Sequence, residues 1–272
     1  MENYKIAVEN DPQLVDAYSG IVICSRFLGR PETAREAIES LSSNVKNNPM
    51  TEHILAAWTG DHLPDRANDD YVRAAFDAYA DSFESSLARL GYAGPALLAE
   101  ALREIYPEPA KGLNVLDAGC GTGLAHTHLN PHASKLLGMD LSPKMLDQAR
   151  QKKDYDQLIC ASLETGIARY DDYFDLIASI DTLIYFGDLN QVLAVMNGAL
   201  KNGGYLVFTL ERSEAAGNYE LCQSGRYAHT EDYVSELLTS LSYNLITLSP
   251  CIVRKELGQD VNGLLVTAQK RT

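Results

Sequence analysis

Little in this 272-residue chain points to disulfide or metal chemistry. Its five cysteines, Cys24, Cys120, Cys160, Cys222 and Cys251, are odd in number and never in C-x-x-C spacing. Neither a disulfide framework nor a zinc site is expected, and the thiols read as small buried hydrophobes. Basic residues are scarce too: 23 Lys and Arg stand against 37 Asp and Glu, a formal net charge of -14. A tight nucleic-acid partner needs clustered cations to neutralise phosphates, so that class is set aside, and membrane surfaces are disfavoured by the same sign. Long apolar runs are also missing. No stretch approaches the length of a membrane span and no basic segment followed by an apolar run opens the chain, so a cytoplasmic location is expected.

What is present suffices for a sizeable core, since 46% of the residues are hydrophobic. The first part reads as helical. Pro12 suits a first helical turn, and Leu14, Val15, Tyr18, Ile21 and Val22 recur at helical spacing until Gly29-Arg30-Pro31. A second helix carries Ala34, Ala37, Ile38 and Leu41 on one face. The unit resembles a degenerate tetratricopeptide repeat, with Asn10-Asp11-Pro12 and Asn47-Asn48-Pro49 as successive repeat ends. One repeat cannot bury its own apolar faces, so it must dock on the rest of the chain, on a protein partner or on a second copy.

A polar, proline-bearing linker between Thr59 and Asp70 leads to a helix whose aromatics Phe76, Tyr79 and Phe83 share one stripe. Another helix is expected from Ala96 to Ile105. Beyond Gly112 the pattern alternates strand and helix, the signature of a parallel sheet with crossover helices. Strands are predicted at Asn114 to Leu116, Lys135 to Met139, Gln157 to Cys160, Phe174 to Ser179 and Tyr205 to Leu210, with helices at Pro143 to Lys152 and Leu189 to Leu200. The apolar runs Asn244 to Val253 and Asn262 to Gln269 are too closely joined for a helix between them, so an antiparallel hairpin ends the sheet.

Val115-Leu116-Asp117-Ala118-Gly119-Cys120-Gly121-Thr122-Gly123 is hard to explain by folding alone. Glycine costs conformational entropy, so three at alternate positions call for positive φ or close approach of backbone to a ligand. A dinucleotide pyrophosphate needs G-x-G-x-x-G, whereas G-x-G-x-G after Asp117 suits a cationic ammonium or sulfonium. This pattern resembles the first motif of class I S-adenosylmethionine-dependent methyltransferases. Asp140, about twenty residues on at a strand end, can then hold a ribose hydroxyl pair with one carboxylate. Leu141 and Met145 would flank adenine.

The resemblance implies more. Ser162 and Leu163, after the third strand, would touch adenine. Ile180 and Asp181, after the fourth, would lie beside the methionine part, Tyr79 would close over the cofactor, and Tyr185 would face the methyl group or acceptor. Tyr185-Phe186-Gly187-Asp188-Leu189, Gly225-Arg226-Tyr227-Ala228-His229 and Val253-Arg254-Lys255-Glu256 are similar to the bacterial tetratricopeptide-repeat-containing predicted methyltransferases. The implied fold is α/β: a Rossmann-like seven-stranded sheet of five parallel strands plus a C-terminal antiparallel hairpin. Residues 1–66 would be a helical extension and residues 67–272 the methyltransferase domain, with lid helices over 71–106.

The cofactor implied is S-adenosyl-L-methionine, with S-adenosyl-L-homocysteine as product and no metal. His229, expected in a loop after the fifth strand, is the candidate general base, its ordinary pKa suiting the task. Glu211 is a candidate pocket acid. The acceptor is expected to be a small molecule methylated at oxygen. Two alternatives stay open: a protein or carrier-bound acyl group docked by the N-terminal helices, and a non-enzymatic module retaining the fold.

Overall fold

The computed structural model describes residues 1–46, 49–60 and 63–272. The proposed repeat end at 47–48 and part of the linker, 61–62, lie outside the described residues. The chain opens on α1 (Glu2–Asn10), α2 (Val15–Phe27), α3 (Pro31–Asn44) and α4 (Pro49–Thr59). The expectation for Pro12 needs correction: a separate helix, α1, precedes it, and Pro12 occupies the turn before α2. Pro31 opens α3, where its missing N–H costs nothing. The predicted apolar face of α3 is buried against Tyr18, Ile21 and Val22 of α2 and Ala57 and Trp58 of α4, forming a core of its own.

Next come α5 (Asp69–Tyr79), α6 (Phe83–Arg89) and α7 (Gly94–Ile105). Strand and helix then alternate: β1 (Leu113–Ala118), α8 (His126–Leu129), β2 (Ala133–Asp140), α9 (Pro143–Lys152), β3 (Gln157–Cys160), α10 (Leu163–Ile167), β4 (Phe174–Ser179), α11 (Asn190–Ala199) and β5 (Leu200–Arg212). The chain finishes with β6 (Tyr219–Leu221), β7 (Tyr227–His229), α12 (Glu231–Ser240), β8 (Tyr243–Glu256) and β9 (Gln259–Lys270). Strands β3-β2-β1-β4-β5 are parallel in that order; β9 pairs antiparallel with β5 and with β8.

This is the expected α/β sheet of five parallel strands and a terminal hairpin, and it sits between two helical layers. On one face Leu116 and Ala118 of β1 and Ile177 of β4 meet α10, α11 and α12; on the other Val115, Leu176 and Ala178 meet α7 and α8. That alternation is the strand period of two. Two features were not anticipated. The short hairpin β6–β7 adds to the sheet beside the end of β5, pairing Glu211 with Ala228 and Arg212 with His229. The strand expected at Tyr205 to Leu210 starts earlier, since β5 begins directly after α11 and takes in Lys201 to Gly204.

The N-terminal core docks on that hairpin. Leu221 of β6 packs against it, and His53 of α4 bonds through Nε2 to the Gly225 carbonyl at 2.8 Å. Downstream, residues 64–67 are sewn to β7 and to the segment after β4: Tyr227 donates to the Pro64 carbonyl, Gly187 and Asp188 N–H donate to the Asp65 carbonyl, and Ala67 N–H donates to the Tyr185 carbonyl.

Candidate active site

The carboxyl ends of β1, β2 and β4 converge where ligands bind in open α/β sheets. At the end of β1 the chain turns through Gly119, Gly121 and Gly123, with φ of 80, 53 and 84°. A Cβ on Gly119 would also stand 2.1 Å from Thr182 Oγ1, so glycine is needed there twice over. At Gly121 the nearest atom to such a Cβ is 3.8 Å away, leaving that backbone open to a ligand. The Gly119 and Cys120 N–H groups both donate to the Met139 carbonyl, locking the turn onto β2.

Asp140 ends β2. Its Oδ2 accepts from Gly121 N–H at 2.9 Å and its Oδ1 from Ser142 N–H at 2.8 Å. Burial raises its pKa, and these backbone donors oppose the shift. The cap of α9 is Ser142, which accepts from Met145 N–H, so Asp140 is not consumed as a helix cap. Asp117 lies beneath the turn, its Oδ2 accepting from the Tyr155 hydroxyl at 2.6 Å. Burial pushes its pKa up to about 7, the Tyr155 bond opposing and Asp140 reinforcing.

An open cleft of ≈ 690 Å³ is lined by nine of the residues singled out in the sequence: Gly119, Gly121, Asp140, Leu141, Ser162, Leu163, Ile180, Asp181 and Tyr185. Asp117 faces a smaller adjoining space of ≈ 360 Å³, which shares Gly119 and Ile180 with the cleft. Burial raises the Tyr185 hydroxyl well above its ordinary range, so it stays protonated.

Three expectations are corrected. Met145 is fully buried and does not line the cleft, because it lies on the buried face of α9 with Leu146 and Ala149. Tyr79 is 38% exposed and stacks edge-on against Phe83; Phe76, one turn earlier, lines the cleft instead and meets Tyr185 at 5.5 Å between ring centroids. His229 is 0% exposed in β7, not in a loop, and bonds through Nε2 to the Gly187 carbonyl at 3.0 Å. Burial pushes its pKa down to about 4, against that backbone bond, so a proton is held poorly.

Other lining residues escaped the sequence reading. Arg66 comes from the segment read as a linker; it pairs with Asp69 at 2.7 Å and Glu164 at 2.8 Å and lies 5.6 Å from the Phe186 ring centroid. No local pattern announces it. Thr182, which backs Gly119, was passed over between Asp181 and Tyr185. Glu211 is buried but bonded to Arg226 and Arg254, and does not line the cleft.

Residues 116–208 match the family described as a methyltransferase domain. That match covers about a third of the chain, over which it is similar to a methyltransferase domain. A malonyl-acyl-carrier-protein O-methyltransferase of Salmonella typhimurium (strain LT2) is 28% identical over 144 residues, covering 53% of this chain and 55% of that protein. The chain thus spans about half the length of that curated relative. Among solved structures, magnesium protoporphyrin IX methyltransferase from Synechocystis PCC 6803, with bound SAM, aligns at a TM-score of 0.57 and 18% identity, covering 78% of this chain and 100% of that one. The cyclase SpnF aligns at 0.61 and 16% identity, covering 77% and 98%. Both likenesses show the fold of the methyltransferase domain alone. Among the described residues no helix is long and apolar enough to cross a membrane, and no cluster of metal-ligating side chains occurs.

Proposed function

We propose that this chain transfers a methyl group from S-adenosylmethionine to a small-molecule acceptor, at oxygen. The observation that carries this reading is the convergence on one cleft of the glycine turn, the Asp140 carboxylate and the mouth of β4. The cofactor's chemistry is the sulfonium, which makes its methyl carbon open to in-line displacement. Asp140 has lone pairs left on both oxygens to accept from two ribose hydroxyls. Leu141, Leu163 and Ala161 offer the apolar contact an adenine ring requires, beside the Ser162 backbone. Gly121 leaves room for close approach, and Asp117, in the adjoining space lined also by Gly119 and Ile180, supplies negative charge for the ammonium end. Phe76 and Phe186 exclude water from the space where an acceptor would sit, and Tyr185 can donate a hydrogen bond there. In this reading residues 1–66 are the helical extension, 67–272 the catalytic domain and 71–106 its cover.

Calorimetric titration with S-adenosylmethionine and S-adenosylhomocysteine tests it. Binding of both is expected, and Asp140→Ala is expected to weaken it by about 100-fold, the loss of two hydrogen bonds to a charged group. A native protein that binds neither would sink the proposal. A second reading is favoured by one feature. A wide groove beside α4, lined by Glu52, His53 and Leu55, shares Arg66, Ala67 and Asp69 with the cleft, so a carrier-bound acyl group held against the N-terminal helices would have a route to the same site. Unchanged turnover on a free acceptor after deletion of residues 1–66 would remove it.

A further inference from the structure

With His229 sealed away from the cleft, a different group comes within reach of an acceptor's proton. Behind the cleft, Arg254 of β8 is 3% exposed and spends its whole guanidinium on three acids. Nη1 donates to Asp181 Oδ1 at 2.9 Å, Nε to Glu256 Oε1 at 2.8 Å, and Nη2 to Glu211. Arg226, just before β7, donates through Nε to Glu211 at 2.7 Å and also pairs with Glu256. Three carboxylates thus face two guanidiniums, and the ionised cluster keeps one negative charge in a dry place. Accepting a single proton would neutralise it.

Of the three acids only Asp181 lines the cleft, its side chain 18% exposed. Its Oδ2 accepts no hydrogen bond from the described residues. Its backbone is fixed as well, at φ 57° with its N–H donated to Thr209 Oγ1 at 2.8 Å. A loosely held carboxylate would be a poor base; this one is held at its backbone and at Oδ1, with Oδ2 left over.

We propose that Asp181 is the proton acceptor for methyl transfer to a hydroxyl, and that the acceptor is therefore an alcohol or phenol, not a carboxylate. The proposal rests on the S-adenosylmethionine reading above. In the step, the hydroxyl proton passes to Asp181 Oδ2 while the acceptor oxygen forms the new C–O bond. The S–CH₃ bond breaks, its electron pair stays on sulfur, and the products are a neutral methyl ether, a neutral thioether and a protonated Asp181. A carboxylate acceptor has no proton to give at neutral pH and would meet the cluster's excess negative charge. The groups facing Asp181 are Arg254, Arg226, Glu211 and Glu256, together with the Tyr92 and Tyr185 hydroxyls. Burial raises its pKa, the two guanidiniums oppose that, and Glu211 and Glu256 reinforce it. Tyr185, held protonated, is a hydrogen-bond donor on the same wall and no rival as base.

Asp181→Asn is the decisive variant, since asparagine tolerates the left-handed backbone and keeps the shape. Infrared difference spectra of the S-adenosylhomocysteine complex, titrated through the neutral range, are expected to show a carboxylic-acid band that vanishes in the variant. Asp117, itself pushed up to about 7, contributes a band common to both proteins; a native spectrum with no component beyond the one the variant keeps overturns the proposal, whichever acceptors are turned over. In parallel, labelled S-adenosylmethionine is offered with phenols, alcohols and the carboxylic acids of the same skeletons. Label is expected in the hydroxyl compounds. Asp181→Asn should lower kcat about 100-fold or more while cofactor Kd stays within about twofold. Label entering only the carboxylic acids, or full turnover by the variant, overturns it. Failure of the native protein to bind S-adenosylhomocysteine would instead overturn the cofactor reading.

Discussion

The two walls of the cleft are built differently. The wall assigned to the cofactor comes from consecutive strand ends, with Gly119, Asp140 and Ser162 each one or two residues beyond or at the end of its own strand. The opposite side is assembled from distant parts of the chain: Arg66 before α5, Phe76 within it, and Asp181 braced by Arg254 from β8 and, through Glu211, by Arg226. One wall depends on local backbone geometry and the other on long-range ionic contacts. Perturbing each should therefore fail in a different way.

The largest effect is expected from Arg254→Met, which strands Asp181 as a buried acid without its guanidinium and leaves Glu211 to Arg226 alone. A loss of about 3–5 kcal/mol in chemical denaturation is predicted, the usual result of removing one partner of a buried pair. A change below about 1 kcal/mol would mean the ionic wall is not structurally required. His229 comes next. Its folded pKa of about 4 lies below the ordinary 6.5, so between these values the unfolded chain binds more protons. Stability from this group is fully present above pH 6.5 and lost as pH falls through about 4, by about 3 kcal/mol in all. His229→Gln should flatten that part of the acid denaturation profile and leave turnover at neutral pH unaltered; lowered turnover with intact folding would return the histidine to the site. The smallest effect belongs to the local wall. Gly119→Ala forces a Cβ against Thr182 at positive φ and is expected to cost about 1–3 kcal/mol in thermal unfolding, with cofactor binding weakened alongside. If stability fell as far as in Arg254→Met, the contrast between the walls would collapse.

The same contrast explains what could be read from the sequence. β3 and β4 match the expected bounds to the residue, and Asp140 and Gly121, singled out in the sequence, line the cleft, because strand, turn and acid follow one another in the chain. The β6–β7 hairpin was missed, since strands of only three residues carry no period to read. Missing it put His229 in a loop, where a histidine looks like a base. Phe76 and Tyr79 share one stripe, and nothing local tells which of them faces the cleft. The ionic cluster was invisible for a related reason: Asp181 and Arg254 are brought together only by the full sheet, and neither sits in a pattern that names the other.

The stitching of residues 64–67 has a mechanical consequence. Pro64 and Asp65 are tied to Tyr227, Gly187 and Asp188, Ala67 is tied to Tyr185, and Arg66 between them enters the cleft. Residues 64–67 cannot shift against the sheet without breaking these bonds or dragging Tyr185 and Arg66 along. Whatever steadies this short segment steadies one side of the cleft, and by reciprocity an occupant touching Tyr185 grips the segment in return.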